Sequence, residues 1–259
     1  MNGQIKALVL DVDGTLSKAS QPISIEVSQM LMKCLSEIQV CISTSRKFSQ
    51  IEHRILNRLY GVTEKELSNL HLYLAQGTQC YDYDIESHCW KLKHEYPLTK
   101  AETEKIRQVI KDIAEENNLW HPEQLADDDE YFECAETQVT FSGLGVKSVG
   151  KDKLNWDPDF SKRKEIIERA QEIAPEFSYK IGGLTSIDIT ILGMDKYFGM
   201  TQILRHLSIS ESEVIYLGDE MDPNGNDYPI VRSGDFSFRP VSGPAETLIY
   251  LRGFCDAKR

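Results

Sequence analysis

Short apolar runs alternate with amphipathic segments along the first part of the chain. Residues 7–10 are four consecutive apolar residues, and Asp11 follows them, a pattern typical of a buried strand in a parallel sheet. An amphipathic helix is predicted over 25–35, a second apolar strand over 38–42, a helix over 47–59 and a third strand over 70–75. This alternation predicts an α/β fold, with a Rossmann-like parallel sheet and helices on both of its faces.

The pattern of the chain changes after the third strand. Several segments are predicted there: an extended segment over 89–96, a helix over 101–117, a half-buried strand over 136–144, a helix through 173, and a pair of strands over 177–192. A helix over 197–207 and a buried strand over 214–217 then resume the first pattern. We therefore expect residues 84–190 to form an α+β cap domain, inserted between two parts of a core domain, 1–83 and 191–259.

Two aspartates follow the first strand, where open α/β sheets place their ligands. An extended Asp11-Val12-Asp13 segment would point its two carboxylates to opposite faces, and the turn at Gly14-Thr15 supplies the bend that brings them together. The alternative for Asp13 alone is an Asx-turn that caps the strand. The two carboxylates and the turn together favour a ligand site.

Polar residues also follow two of the other predicted strands. Ser43-Thr44-Ser45-Arg46 comes after the second strand, and Asp219, with Asp227 downstream, comes after the strand over 214–217. A hydroxyl at this place is first an N-cap of the next helix, and alternatively a ligand for phosphate at the helix N-terminus. Both interpretations of Thr44 stay open on the residues alone.

The segment Asp11-Val12-Asp13-Gly14-Thr15 resembles the first motif of the haloacid dehalogenase-like phosphohydrolases, and the later segments follow in that superfamily's order. The resemblance implies that Asp11 is the nucleophile that attacks phosphorus and that Asp13 is the general acid/base. It also implies that Thr44 binds phosphate, although Ser45 stands where the superfamily's Thr-Gly-Arg signature has glycine.

The same resemblance implies a magnesium site. Asp219 would bind the metal directly, Asp227 would contact it through a water, and Asp11 and the backbone carbonyl of Asp13 would complete the site. A carboxylate at Asp11 repels a phosphate dianion, and Mg²⁺, which prefers carboxylate, carbonyl and water oxygens, relieves that repulsion. Lys196 falls where the superfamily keeps a lysine that neutralises phosphate and nucleophile. The alternative for Lys196 is an ordinary surface lysine.

Two further segments resemble the eukaryotic-type phosphomannomutases, which carry the IIB type of cap in this superfamily: residues 182–188 and Gly225-Asn226-Asp227. The resemblance implies that Ser186 and Asp188 contact the sugar, and it makes Asn226 a further candidate for substrate contact. The alternative for Ser186 and Asp188 is simple alternation along a strand.

The chain departs from the mutases in the residues that would hold a second phosphate. The mutases have arginines shortly after the first motif and in a cap strand, whereas this chain has Ser17 to Gln21 and Ser142 to Lys147 there. Lys147 or Lys151 is a partial substitute, since lysine does not reproduce the bidentate contact of arginine. Arg46, next to the phosphate segment, is a further candidate for substrate contact.

These departures favour a hydrolase. We expect a Mg²⁺-dependent phosphatase that acts on a small phosphorylated metabolite, with a sugar phosphate as the favoured substrate, through an aspartyl-phosphate intermediate. A phosphomannomutase-like phosphotransferase is one alternative. A catalytically idle binding protein of the same fold is another.

Composition limits the partners. The chain has 259 residues, a formal net charge of −12 and a pI near 5.0, which argues against binding to nucleic acid or to an anionic membrane surface. Six scattered cysteines without a Cys-x-x-Cys pair argue against a zinc site or a disulfide framework. Free thiols, and the lack of a signal-like or long apolar segment, predict a cytoplasmic protein. A monomer and a homodimer both stay open.

Overall fold

The computed structural model describes residues 4–126, 129–223 and 225–257. The chain divides into two compact units: Tyr96–Gly193 forms one, and the rest of the described chain forms the other, which we call the core unit. We call Tyr96–Gly193 the inserted unit. Its limits differ from the predicted 84–190, because residues 89–95 form a hairpin with 79–84 that extends the core sheet.

The first part of the core unit contains the following elements: β1 (Ala7–Leu10), α1 (Ile25–Leu35), β2 (Gln39–Ser43), α2 (Phe48–Arg54), α3 (Glu64–Leu67), β3 (Leu70–Leu74), β4 (Gln79–Asp84) and β5 (Cys89–Glu95). The inserted unit follows: α4 (Lys100–Glu116), β6 (Phe132–Cys134), β7 (Val139–Ser142), α5 (Lys151–Trp156), α6 (Ser161–Ile173), β8 (Phe177–Ile181) and β9 (Ser186–Ile191). The core unit then continues: α7 (Lys196–Leu207), β10 (Val214–Gly218), α8 (Tyr228–Ser233), β11 (Ser237–Pro240) and α9 (Pro244–Ala257).

The core sheet, within the described residues, has the order β11-β10-β1-β2-β3-β4-β5. The strands from β11 to β3 are parallel, and β4 and β5 are antiparallel. One face of the sheet packs on an apolar cluster that includes Leu31 of α1 and Leu251 of α9, and the other on a cluster that includes Ile203 of α7. The prediction of a parallel α/β sheet with helices on both faces is therefore confirmed.

One predicted helix of the core unit is shorter than expected. A helix was predicted over residues 47–59, whereas α2 ends at Arg54 and a 3₁₀ turn, Leu56–Arg58, follows. Ile55 between them has φ −122° and ψ −62°, outside the helical region. Ile51, Ile55 and Leu59 are buried all the same. The apolar spacing therefore identified the buried positions correctly, although it did not show where the helical hydrogen bonds stop.

The inserted unit contains a four-stranded antiparallel sheet, in the order β6-β7-β9-β8 within the described residues. Ile187 and Ile189 of β9 are fully buried against Ile106 of α4 and Ile166 of α6. Ser186 and Asp188 alternate with them and therefore lie on the other face of the sheet. The inserted unit thus has one apolar face covered by helices and one polar face.

None of the described helices is both long enough and apolar enough to span a lipid bilayer.

Candidate active site

A buried lysine joins two aspartates at the carboxyl end of the core sheet. Lys196 Nζ donates to Asp11 Oδ1 at 2.6 Å and to Asp227 Oδ1 at 2.5 Å, and all three side chains are buried. Asp11 directly follows β1, and Asp227 lies in the loop after β10, the strand paired with β1. The structure therefore brings together Asp11, Lys196 and Asp227, which lie far apart in the sequence.

The position of Lys196 follows from the start of α7. Asp195 is the N-cap, and its side chain accepts a hydrogen bond from the backbone N–H of Phe198 at 3.1 Å. Lys196 is thus the first helical residue, with an exposed fraction of 0%. The interpretation of Lys196 as an ordinary surface lysine is wrong.

The three charges perturb one another. Burial raises the pKa of Asp11 to about 7, an effect that Lys196 opposes and the negative charge of Asp227 reinforces. Burial opposes the positive charge on Lys196, but the two carboxylates outweigh it and raise the lysine pKa above its ordinary value. Lys196 therefore stays protonated, while Asp11 needs further positive charge beside it to remain fully ionised at neutral pH.

A third carboxylate completes an acidic cluster. One ligand oxygen from each of Asp11, Asp219 and Asp227 lies within 4.8 Å of the other two. Thr15 Oγ1 donates to Asp219 Oδ1 at 3.1 Å, and burial raises the pKa of Asp219. Asp11 Oδ2 is buried and accepts no hydrogen bond from the described residues. An unpaired carboxylate oxygen in a set of hard oxygen donors fits a divalent cation such as Mg²⁺.

Gly14 lets the chain pass close to this cluster. Its φ is +83°, and a Cβ built there would lie 2.1 Å from Asp219 Oδ2. We expect Gly14→Ala to displace Asp219 and to weaken Mg²⁺ binding by at least roughly tenfold, measured by calorimetric titration. Gly61→Ala is the matched control, because Gly61 has φ +86° and open space around its Cβ position. Equal Mg²⁺ affinity in both variants would contradict this prediction.

Asp13 is held by two arginines. Arg46 Nε donates to Asp13 Oδ2 at 2.7 Å, and an Nη atom of Arg54 donates to Oδ1 at 2.7 Å. The backbone N–H of Ser20 also donates to Oδ1, at 2.9 Å. Partial burial of Asp13 opposes ionisation, but these hydrogen bonds outweigh it and lower the pKa of Asp13 to about 2. Asp13 is therefore ionised in this structure.

Arg54 was not among the candidates from the sequence. Its side chain is 7% exposed, and besides Asp13 it donates to the Gln21 carbonyl and to Ser17 Oγ. The sequence carries one signal for it: Arg54 is three residues after Ile51 and next to Ile55, so helical spacing places it near the buried face of α2. A buried arginine on such a face requires an acidic partner, and Asp13 is that partner.

Thr44 and Arg46 follow β2, the neighbour of β1. Thr44 is buried, its backbone N–H donates to the Tyr73 carbonyl at 3.0 Å, and its Oγ1 accepts from the backbone N–H of Arg46 at 3.2 Å. The interpretation of Thr44 as a side-chain cap is wrong for α2, since the N-cap residue of α2 is Lys47. The phosphate-binding role of Thr44 stays a prediction.

Asp227 holds the loop after β10 in place through hydrogen bonds of its carboxylate. Asp227 Oδ1 accepts from the Tyr216 hydroxyl at 2.5 Å as well as from Lys196, and Oδ2 accepts from the backbone N–H of Glu220 at 3.0 Å. Asn226, in the same loop, has a buried Oδ1 that accepts no hydrogen bond from the described residues. Tyr216 is a contact that the sequence did not identify. Asp227 therefore fixes both Lys196 and this loop.

The remaining candidates lie in the inserted unit. Asp188 Oδ1 accepts from Thr140 Oγ1 at 2.9 Å, and Ser186 and Asp188 share the polar face of the sheet. Lys147 follows β7, and its backbone N–H donates to Asp129 Oδ1 at 2.9 Å. The structure thus groups Ser186 with Asp188, while the substrate contacts of all three residues stay predictions.

The chain is similar in sequence to known phosphomannomutases. The chain is similar to a probable phosphomannomutase of Caenorhabditis elegans, with 23% identity over 93% of this chain and 91% of the relative. It is also similar to phosphomannomutase 1 of Mus musculus, with 23% identity over 93% of this chain and 88% of the relative.

Solved structures share the fold. A haloacid dehalogenase-like hydrolase from Bacteroides thetaiotaomicron matches with a TM-score of 0.66 and 14% identity, over 97% of this chain and 100% of that chain. An IMP-bound IMP-nucleotidase of Plasmodium falciparum matches with a TM-score of 0.66 and 15% identity, over 98% of this chain and 68% of that chain. The sequence profile of the haloacid dehalogenase-like hydrolases matches residues 8–238. The chain therefore belongs to the haloacid dehalogenase-like hydrolase family, as its motifs and its buried Asp11–Lys196–Asp227 arrangement indicated.

Proposed function

We propose that this protein is a Mg²⁺-dependent phosphatase that transfers the phosphoryl group of a small phosphorylated metabolite to Asp11 and then to water. The observation that carries the proposal is Asp11 itself. Lys196 fixes its Oδ1, while its Oδ2 is buried without a hydrogen-bond donor among the described residues. A carboxylate oxygen in that state is available to a cation or to a phosphorus atom.

Asp11 and Asp219 of the acidic cluster would hold the Mg²⁺ directly and Asp227 would hold it through a water, with the backbone carbonyl of Asp13 as a further proposed ligand. The chemistry that the cation supplies is neutralisation of phosphate charge next to Asp11. Lys196 adds a second positive charge, and the hydroxyl of Thr44 would donate to the phosphoryl oxygens. These residues would thereby keep Asp11 ionised and lower its repulsion of the substrate.

Asp13 would protonate the leaving oxygen and then activate the water that hydrolyses the aspartyl-phosphate. A carboxylate with a pKa of about 2 is a poor acid catalyst at neutral pH, because it is almost never protonated. We therefore propose that Asp13 loses its contact with one of its arginines during turnover. Arg46, with 35% of its side chain exposed, is suited to move from Asp13 to the substrate's phosphate.

The placement of the arginines of the inserted unit supports hydrolysis over mutase chemistry. This unit has three arginines, all of them on helices: Arg107 on α4, and Arg163 and Arg169 on α6. Arg163 is buried in an ion pair with Asp157, and Arg169 pairs with Glu116. A mutase must also bind a second phosphate, and arginine is the residue best suited to that contact. The similarity to phosphomannomutases keeps the mutase as the second candidate.

The two functions can be separated by following phosphorus directly. We expect ³¹P NMR with a panel of sugar phosphates to show inorganic phosphate accumulating in the presence of Mg²⁺ and not with EDTA. Isomerisation of a hexose phosphate without phosphate release, dependent on added sugar bisphosphate, would instead establish the mutase. Lack of both activities, with an aryl phosphate also left intact, would favour an idle binding protein.

We also propose that Ser186 and Asp188 recognise the leaving group of the substrate. Both lie on the polar face of the inserted unit, and Asp188 faces Thr140 and Lys180 across the neighbouring strands. Losing a hydrogen bond to a charged group costs about 1.5–3 kcal/mol. The double variant Ser186→Ala/Asp188→Ala should therefore have a kcat/KM for the natural substrate that is lower by roughly ten- to a hundredfold.

The control is a small aryl phosphate, which lacks the leaving group that these residues would contact. We expect its kcat/KM to change little in the double variant. Equal losses on both substrates would indicate a general effect on the fold. An unchanged kcat/KM on the natural substrate would refute the proposed contact.

A further inference from the structure

A second group of metal-ligating side chains lies in the core unit. His71 of β3, Asp82 of β4 and His206 near the end of α7 offer ligand atoms that all lie within 4.8 Å of one another. His206 is ten residues after Lys196 on the same helix, which places it about 15 Å from Lys196 along the helix axis. This His–Asp–His cluster is therefore separate from the candidate active site.

A chain of amides fixes which nitrogen of His71 carries its proton. Asn69 Nδ2 donates to the Leu35 carbonyl, so its Oδ1 faces Gln39 and accepts from Gln39 Nε2 at 3.0 Å. Gln39 Oε1 is then the atom 2.7 Å from His71 Nε2. An amide oxygen only accepts, so Nε2 must donate its hydrogen to it.

The other nitrogen of His71 therefore faces a carboxylate. His71 Nδ1 lies 2.7 Å from Asp82 Oδ1. In the neutral imidazole, with its proton on Nε2, Nδ1 presents a lone pair. A lone pair and a carboxylate oxygen repel at this distance. A cation must therefore lie between them, and that cation is either a second proton or a metal ion.

His206 contacts the other oxygen of the Asp82 carboxylate. Its Nε2 lies 3.0 Å from Asp82 Oδ2, and its Nδ1 lies 2.7 Å from the hydroxyl of Tyr73. A tyrosine hydroxyl can accept as well as donate, so Nδ1 can carry the hydrogen and leave Nε2 free to bind a metal. Both histidines thus have an oxygen partner for the nitrogen that faces away from Asp82, which is the usual support of metal-binding histidines.

We propose that His71 Nδ1, Asp82 and His206 Nε2 form a binding site for a divalent transition metal of the Zn²⁺ class. Two imidazoles and a carboxylate suit Zn²⁺, whereas Mg²⁺ prefers oxygen ligands alone. Tetrahedral ligands at bond lengths of about 2.05 Å lie about 3.3 Å apart, and the two histidine–Asp82 separations, 2.7 and 3.0 Å, are within a few tenths of an ångström of that value. The side chains of Asp82 and His206 are 14% and 28% exposed, so an ion can reach the cluster from solvent.

The test uses Co²⁺ as a spectroscopic probe, with millimolar Mg²⁺ present to occupy the acidic cluster. We expect one equivalent of Co²⁺ to give the intense visible absorption of a tetrahedral site with nitrogen ligands, and His206→Gln to lose it. His88→Gln is the matched control, because His88 also pairs with a carboxylate, Glu64, but is exposed and lies outside the cluster. This variant should keep the absorption.

X-ray absorption of the Zn²⁺-loaded wild-type protein gives a second measurement that requires no variant. We expect two imidazole ligands per zinc. A shell without imidazole, or a Co²⁺ spectrum that His206→Gln leaves unchanged, would overturn the proposal. The cation between His71 and Asp82 would then be a proton, and the cluster an ion-pair network that joins α7 to the sheet.

Discussion

Asp11→Asn is expected to lower turnover by at least roughly a thousandfold, because an amide can neither attack phosphorus nor contribute a negative charge to the cation site. The fold should survive the substitution. Lys196 keeps its second partner, Asp227, at 2.5 Å, so the buried ammonium is not left unpaired. Steady-state kinetics with a phosphate ester in saturating Mg²⁺ measures the loss.

Thermal unfolding without metal provides the control for this variant. The pKa of Asp11 is raised to about 7 from the usual 3.8 of an aspartate, so the folded protein binds this proton more tightly than the unfolded chain. The free energy of unfolding therefore falls as pH rises from about 4 to about 7, and the ionised group destabilises the fold above that range. Metal-free Asp11→Asn at pH 8 should then unfold at the same or a higher temperature than wild type. Turnover within tenfold of wild type would contradict the nucleophilic role.

Asp13→Asn is expected to lower kcat by roughly 10²- to 10⁴-fold on an ester with a poor leaving group, because asparagine cannot deliver a proton to the leaving oxygen. The rate of the first step, phosphoryl transfer to Asp11, should fall much less with an aryl phosphate, whose leaving group departs without a proton. Hydrolysis of the aspartyl-phosphate also requires the base, so the phosphorylated enzyme should accumulate on the aryl substrate. Quenched-flow kinetics with intact-mass spectrometry measures both effects.

The same substitution also removes the partner of a buried arginine, which is destabilising in itself. Losing one member of a fully buried ion pair costs about 3–5 kcal/mol, and less here because 23% of the Asp13 side chain is exposed. Arg54→Gln is the matched control, since it breaks the same pair from the other side and keeps the acid. Arg54→Gln should lower the unfolding temperature, but its effect on the rate of phosphoryl transfer should not depend on the leaving group. If the rate loss depended equally on the leaving group in both variants, Asp13 would be excluded as the acid/base.

The sequence identified most of the regular elements of the core. β1 and α1 have the predicted bounds, and α7 and β10 differ by single residues. In these elements one face of the helix, or the whole strand, is buried. The spacing of the apolar residues therefore follows the period of the helix or the strand, and it can be recognised in the sequence. The short helix α8 and the strand β11 were not predicted. For β11 the reason is that all four of its residues are exposed, so its sequence shows no apolar spacing of this kind.

The boundary of the inserted unit depended on pairing and could not be predicted from local patterns. Most residues of strand β5 are exposed or only partly buried. Its sequence therefore does not indicate which of the two sheets it joins. Its hydrogen bonds to β4 place it in the core sheet. Pairing between strands is a contact between segments, and the pattern of one segment contains no information about its partner.

The sequence by itself determined the order of the motifs, the parallel α/β fold, and the residues that we propose for phosphoryl transfer: Asp11, Asp13, Thr44, Lys196, Asp219 and Asp227. Only the tertiary structure decided which of these charged side chains pair with one another. Lys196 is buried between two carboxylates, and Asp13 is held by Arg46 from the loop after β2 and by Arg54 from α2. The physical reason is that a pKa depends on burial and on the distance to other charges, and both arise when segments far apart in the chain meet in the fold.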